Sequence, residues 1–194
     1  ITLPLLRAAS KAHSDLVVVH IDAHTDTYRG DGNQDYMRFN VATTFTRAAE
    51  EALIDVESSI HVGARGPTND SGVFNHTRDV GYGLIDSTEL FNAGLRNTAK
   101  NIVESLKGRS VYLCFDMDFF DPSCAPGVCT PTWGGATSRE GLDFLQNLTG
   151  LNLVGADINT VSPPHDISGM TAFLAATVGL EILSVICQSK GLVE

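Results

Sequence analysis

Residues 16–21, Leu-Val-Val-Val-His-Ile, run without any alternation of polar and apolar side chains, and this limits the possible fold more than any other feature of the chain. A strand with one face in water alternates. A strand buried on both faces does not, and double burial belongs to parallel sheets covered by crossover helices. Comparable Val- and Ile-rich runs recur at 59–64, 83–85, 111–115 and 153–156, between helical patterns at 3–13, 43–53, 88–106, 138–147 and 169–188. The order predicts an α/β fold with a mainly parallel sheet. Segments 28–40 and 119–136 read as loops by composition. With 194 residues, 43% of them apolar, residues 1–194 suit one domain with a sizeable core.

Charge narrows the function. Thirteen Lys and Arg face 23 Asp and Glu, so the net charge of −10 repels nucleic acid and anionic membranes, and no basic cluster offsets it. No apolar run is expected to reach the roughly 20 residues that span a bilayer, and the opening ITLPLLRAASKAH lacks the pattern of a signal peptide. The expected compartment is the cytoplasm. Cys114, Cys124, Cys129 and Cys187 are too scattered for a disulfide scaffold, and the sequons at Asn69, Asn75 and Asn147 are read as chance.

The chemistry gathers where apolar runs end. The first run passes into Asp22, His24 and Asp26, the fourth into Asp116 and Asp118, and the fifth into Asp157. Open α/β sheets bind ligands beyond the carboxyl ends of their strands. Residues two apart on extended backbone share a side, so Asp22 with His24, and Asp116 with Asp118, are expected to present matched donor pairs that converge. Four carboxylates in one small volume repel one another unless cations neutralise them. Mostly oxygen with one imidazole suits Mn²⁺ or Mg²⁺, and bridging carboxylates favour two ions about 3.5 Å apart. Asp121, Asp157 and Asp166 stand alone beside turns, where aspartate also serves as a cap. His13, His61 and His76 lack ligand spacing and are expected at the surface or as satisfied side chains. His20, inside the strand, is expected to pack or to support a ligand.

On these residues the chain resembles a known family. DAHTD at 22–26, DMDFFDPSCAPGVCTP at 116–131 and VSPPHD at 161–166 look like signatures of the ureohydrolases, the arginase and agmatinase family, with DAHTDTY leaning toward the agmatinase branch. The resemblance runs from Ile1 to the last helix. It implies a three-layer α/β/α fold, here incomplete, and a dimanganese centre that hydrolyses a guanidino or amidine C–N bond to urea and an amine. It implies that Asp22 and Asp116 bridge the metals, that His24 and Asp118 complete one of them and that Asp26 binds the other. Asp26 would also steer the attacking hydroxide and pass on its proton.

Departures from the family pattern qualify that expectation. The Gly-Gly-Asp-His-Ser segment with a sixth ligand, expected before a stretch like ITLPLLR, is not in this sequence, so the chain corresponds to the C-terminal two-thirds of a family member. Thr160 stands where the family has a glutamate that grips the guanidinium. The loop after DAHTDTY has no histidine, and Cys124, Cys129 and Trp133 reshape the pocket wall. Thr160 and Trp133 are therefore the expected substrate-contacting positions. The expected partner is a small cationic guanidino or amidine substrate, with a homo-oligomer or a complementing chain as further possibilities. The alternative is a degenerate or partial chain that holds metal or a partner without catalysis.

Overall fold

The computed structural model describes residues 1–30 and 35–192. Residues 31–34, part of the expected 28–40 loop, lie outside the described residues, as do 193 and 194. In chain order the elements are α1 (Thr2–Ala9), β1 (Leu16–Ile21), α2 (Asp35–Arg38), α3 (Thr44–Glu50), β2 (Ile60–Ala64), α4 (Val73–Val80), β3 (Gly83–Asp86), α5 (Ser87–Ala93), α6 (Leu95–Ser105), β4 (Ser110–Asp116), α7 (Ser138–Gln146), β5 (Asn152–Asn159) and α8 (Met170–Ser189). The five strands form one sheet in the order β3-β2-β1-β4-β5, with every neighbouring pair parallel.

The unbroken apolar run of β1 has the cause that its pattern suggested: all six of its residues are buried. Val17, Val19 and Ile21 pack with Leu113, Phe115 and side chains of α5 to α8 on one face. Leu16 and Val18 pack with Leu6, Phe45, Ala48 and Tyr82 on the other. Helices thus cover both faces and make three layers. Since β1 and β4 are the middle and next-to-middle strands, their carboxyl ends open at the centre of one sheet edge.

Four expectations are corrected. The helix expected at 88–106 is two helices, because Gly94 at φ 84° takes a backbone conformation that helix cannot, ending α5 and starting α6. Helix α4, between β2 and β3, was not foreseen: at eight residues, VFNHTRDV spans barely two turns, and only Val73 and Thr77 are buried. Asp22, His24, Asp116 and Asp118 do not lie as pairs on extended backbone, since 22–24 form a bend and 117–119 a 3₁₀ turn. Finally, α8 is 20 residues long with Glu181 as its one charged residue, and by length and composition alone it could cross a membrane. One side, carrying Thr171, Val178, Ile182 and Val185, is buried against the protein, whereas Phe173, Leu180 and Leu183 are 72%, 68% and 57% exposed. Beside it, β5 is the sheet's edge strand and is less completely buried than β1 or β4.

Candidate metal centre

The centre starts where β1 stops. Asp22 N–H still bonds the Val62 carbonyl at 3.0 Å, as a strand residue would, but its carboxylate already serves the turn. Oδ1 accepts the His24 backbone N–H at 2.6 Å, and Oδ2 faces His20 Nε2 at 2.9 Å. The bend brings His24 Nδ1 to 3.3 Å from Asp22 Oδ1 and 3.1 Å from Asp118 Oδ2. Two residues on, Asp26 sits at φ 50°, a left-handed conformation that Asp tolerates better than most residues. Its carbonyl accepts the Phe45 N–H at 3.0 Å, which ties this turn to the start of α3.

The other half comes from β4. Asp116 Oδ1 accepts the Asp118 N–H at 2.8 Å, and this bond closes the 3₁₀ turn that throws Asp118 toward β1. Asp118 then takes the Ala23 N–H on Oδ1 at 3.1 Å and the Thr130 hydroxyl on Oδ2 at 2.9 Å. Candidate ligand atoms of Asp22, His24 and Asp118 all lie within 4.8 Å of one another, and so do those of His20, Asp22 and Asp26. Asp116 falls in neither group, yet it is buried and close enough for Asp22 and Asp118 to repel its charge.

The electrostatics are those of a site short of positive charge. Burial, with repulsion from Asp22, pushes Asp26 up to about 8. Burial and the charges of Asp22 and Asp118 hold Asp116 well above the usual carboxylate range, and Asp118 is raised by burial and Asp22. His24 is raised too, against its burial: hydrogen bonds to Asp118 and Asp22 lift it to about 10. Burial also opposes the charge on Asp22, but His20 beside it keeps that carboxyl well below its ordinary value. Several neighbouring carboxylates that take up protons for want of a countercharge, joined by one imidazole, fit hard divalent cations.

Around the centre lies a cleft of about 870 Å³ whose lining includes His24, Asp26, Tyr28, Val41 and Trp133. Trp133 is 74% exposed at the rim. Thr160 does not line this cleft: its hydroxyl donates to Asp116 Oδ1, at a β-branched residue held at φ 66°. Thr160 thus contacts a carboxylate of the centre. The lone aspartates are structural. Asp121 accepts the N–H groups of Ser123, Gly134 and Gly135; Asp157 accepts the Tyr112 hydroxyl at 2.6 Å; Asp166 accepts the Thr171 and Ala172 N–H groups at the start of α8. All four cysteines are free.

Two further buried side chains adjoin the site: Arg65, which sequence reasoning did not name, and His61, which it expected at the surface or as a satisfied side chain. Arg65, 7% exposed at the end of β2, donates to the carbonyls of Asp118 and Thr132, each at 2.8 Å, and so staples the two loops that frame the cleft. His61, buried in β2, bonds His20. The cue for Arg65 was present: like Asp22, it is a charged residue directly after an apolar run.

A parallel sheet with helices on both faces and a carboxylate-rich cluster at the carboxyl ends of its middle strands defines an open α/β protein. The chain belongs to the arginase family, whose sequence pattern matches residues 1–184. It is 36% identical over 189 residues to a guanidinobutyrase of Pseudomonas aeruginosa, covering 96% of this chain and 57% of that protein. To an agmatinase of Photorhabdus laumondii it is 38% identical over 190 residues, covering 98% and 58%. Among solved structures, proclavaminate amidino hydrolase from Streptomyces clavuligerus superposes with a TM-score of 0.88 at 35% identity, covering 97% of this chain and 61% of its own. The chain thus spans less than two thirds of the length of these relatives.

Proposed function

We propose that the chain carries the chemical centre of a metal-dependent hydrolase that cleaves a guanidino or amidine C–N bond, releasing urea and an amine. The observation that carries this reading is the close approach of Asp22 to His24 and Asp118 on one side and to His20 and Asp26 on the other, beside a cleft that His24 and Asp26 line. Relatives named for guanidinobutyrate and agmatine support the guanidino class of substrate. Asp22, His24, Asp26, Asp116 and Asp118 are the residues that would hold the cations, and an oxygen-rich set with one imidazole favours manganese. Bound there, two such ions would supply an activated water and neutralise charge developing on the amidino group.

The protein's own groups do the rest. Asp26, a carboxylate once cations offset its acidic neighbours and with its side chain on the cleft, would take a proton from the attacking water and return it to the departing amine nitrogen as the C–N bond breaks. Trp133 offers a flat apolar face to the planar cation or its alkyl tail. Thr160 contributes by holding Asp116. Loading the purified chain with Mn²⁺ and assaying urea from agmatine, 4-guanidinobutyrate and arginine tests the proposal, with elemental analysis in parallel. Urea with nearly two metals per chain supports it. No urea, with one metal or none, favours a chain that binds metal or a complementing partner without catalysis.

A further inference from the structure

We propose that His61 is a positioning residue for the metal centre, acting through His20 to orient the carboxylate of Asp22. The inference rests on the reading of Asp22 as a metal ligand.

The parallel register pairs His20 of β1 with His61 of β2, so their side chains emerge side by side on the same face of the sheet. Both are 1% exposed. Their Nδ1 atoms are 2.8 Å apart, and on the far side of the first ring His20 Nε2 lies 2.9 Å from Asp22 Oδ2. The result is a buried chain, His61 to His20 to Asp22, directed from the core toward the centre. Its outer end is fixed: the His61 ring meets Phe45 and Tyr82 edge-on, with centroids 5.0 Å and 4.7 Å away, and Tyr82 is itself tied by its hydroxyl to the Phe45 carbonyl at 2.8 Å.

Hydrogen-bond direction follows from counting protons. A carboxylate only accepts, so the bond to Asp22 requires the proton on His20 Nε2. One proton must then lie between the two Nδ1 atoms. If His20 supplied it, neutral His61 would carry its own proton on Nε2, which is buried and finds no partner among the described residues. If His61 supplies it, that Nε2 keeps only a lone pair. An orphaned buried N–H is the rarer and costlier outcome, so His61 donates and His20 accepts. Burial drives His61 well below its ordinary value, so His61 is neutral and carries a single ring proton. The consequence for the site is specific: His20 engages Oδ2 of Asp22 and fixes the carboxylate's rotation, so that Oδ1 faces His24 and Asp118. Outer hydrogen-bond partners of this kind change metal affinity by about 10- to 100-fold when removed.

The test joins a spectrum to a titration on the whole chain. Imidazole ¹⁵N shifts, recorded with diamagnetic Mg²⁺ present, should show His61 as the Nδ1–H tautomer and His20 protonated at Nε2. His61→Phe, which keeps the ring packing, should weaken Mn²⁺ binding about tenfold by calorimetry, and His61→Gln, whose amide can donate to His20, should recover most of that loss. An Nε2–H tautomer at His61 overturns the inference even if the Phe variant does not fold. So does a folded His61→Phe chain that binds Mn²⁺ like the unmodified one, or equal impairment in Phe and Gln. An unmodified chain that binds no Mn²⁺ overturns the metal reading as well, whereas normal binding with an indifferent His61 sinks this inference alone.

Discussion

Metal binding to this centre should expel protons, and the number follows from the site. Without a cation, Asp26 lies at about 8 and His24 at about 10. At pH 7 the first is therefore about nine-tenths protonated and the second almost fully so. A carboxylate oxygen or an imidazole nitrogen must lose its proton to ligate, so filling the site at pH 7 should release close to two protons. Asp116 and Asp118, both raised, can only add to that number. Affinity for Mn²⁺ should then climb about 100-fold per pH unit below pH 8, and about tenfold per unit between pH 8 and 10, where only His24 remains to be deprotonated. Calorimetric titrations in buffers of different ionisation enthalpy count the protons directly. A binding enthalpy that does not depend on the buffer at pH 7, or an affinity flat between pH 6 and 8, would refute the assignment of Asp26 and His24 as ligands.

Other consequences are as definite. Both Asp26 and His24 sit above their unfolded values, so each stabilises the metal-free fold at low pH and loses that contribution as pH rises, Asp26 between about 4 and about 8 and His24 between about 6.5 and about 10; the melting temperature of metal-free protein should fall across pH 5 to 9, and saturating Mn²⁺ should reverse the trend. Arg65→Ala leaves buried carbonyls of Asp118 and Thr132 without donors and should cost about 2–4 kcal/mol, read as a drop of roughly 2–4 °C per kcal/mol in a thermal melt. Thr160→Val keeps the branched shape but removes the donor to Asp116, so Mn²⁺ affinity should fall about tenfold while the fold, judged by circular dichroism, persists. Among the described residues lining the cleft none is Arg or Lys, and Asp26 is present, so a substrate whose far end is a carboxylate meets no countercharge. Agmatine should be turned over with a kcat/KM at least about tenfold above that of 4-guanidinobutyrate, and the reverse preference would show that the tail's charge is read elsewhere.

What was legible in the sequence, and what was not, divides along physical lines. Strands β1 and β4 could be read because double burial demands unbroken apolar runs, and the candidate ligands stood out because buried charge needs a reason. The break at Gly94 was missed because an apolar periodicity can continue through a glycine that the backbone uses to turn. Helix α4 was missed because it buries only two of its residues and owes its place to β2 and β3 on either side. The roles of His61, Arg65 and Thr160 depend on register, loop closure and one left-handed residue, and none of these is written in local pattern. The convergence of Asp118 on the end of β1 was expected from extended backbone; the 3₁₀ turn capped by Asp116 makes the approach instead.

The distribution of burial also separates the centre from the rest of the molecule. Every described group in the candidate site descends from β1 and β4 or from a segment bonded to them, and these two strands are buried throughout and paired on both sides. An exposed apolar stripe lies two strands from β1, on the outward face of α8 beside the edge strand β5. Geometry at the centre is therefore set by the best-packed part of the sheet, while α8 and β5 lie at its periphery. A substitution such as Leu180→Glu, on the 68% exposed face of α8, should accordingly leave Mn²⁺ affinity, read by calorimetry, unchanged. Loss of metal binding in that variant would show that the centre depends on the sheet's edge after all.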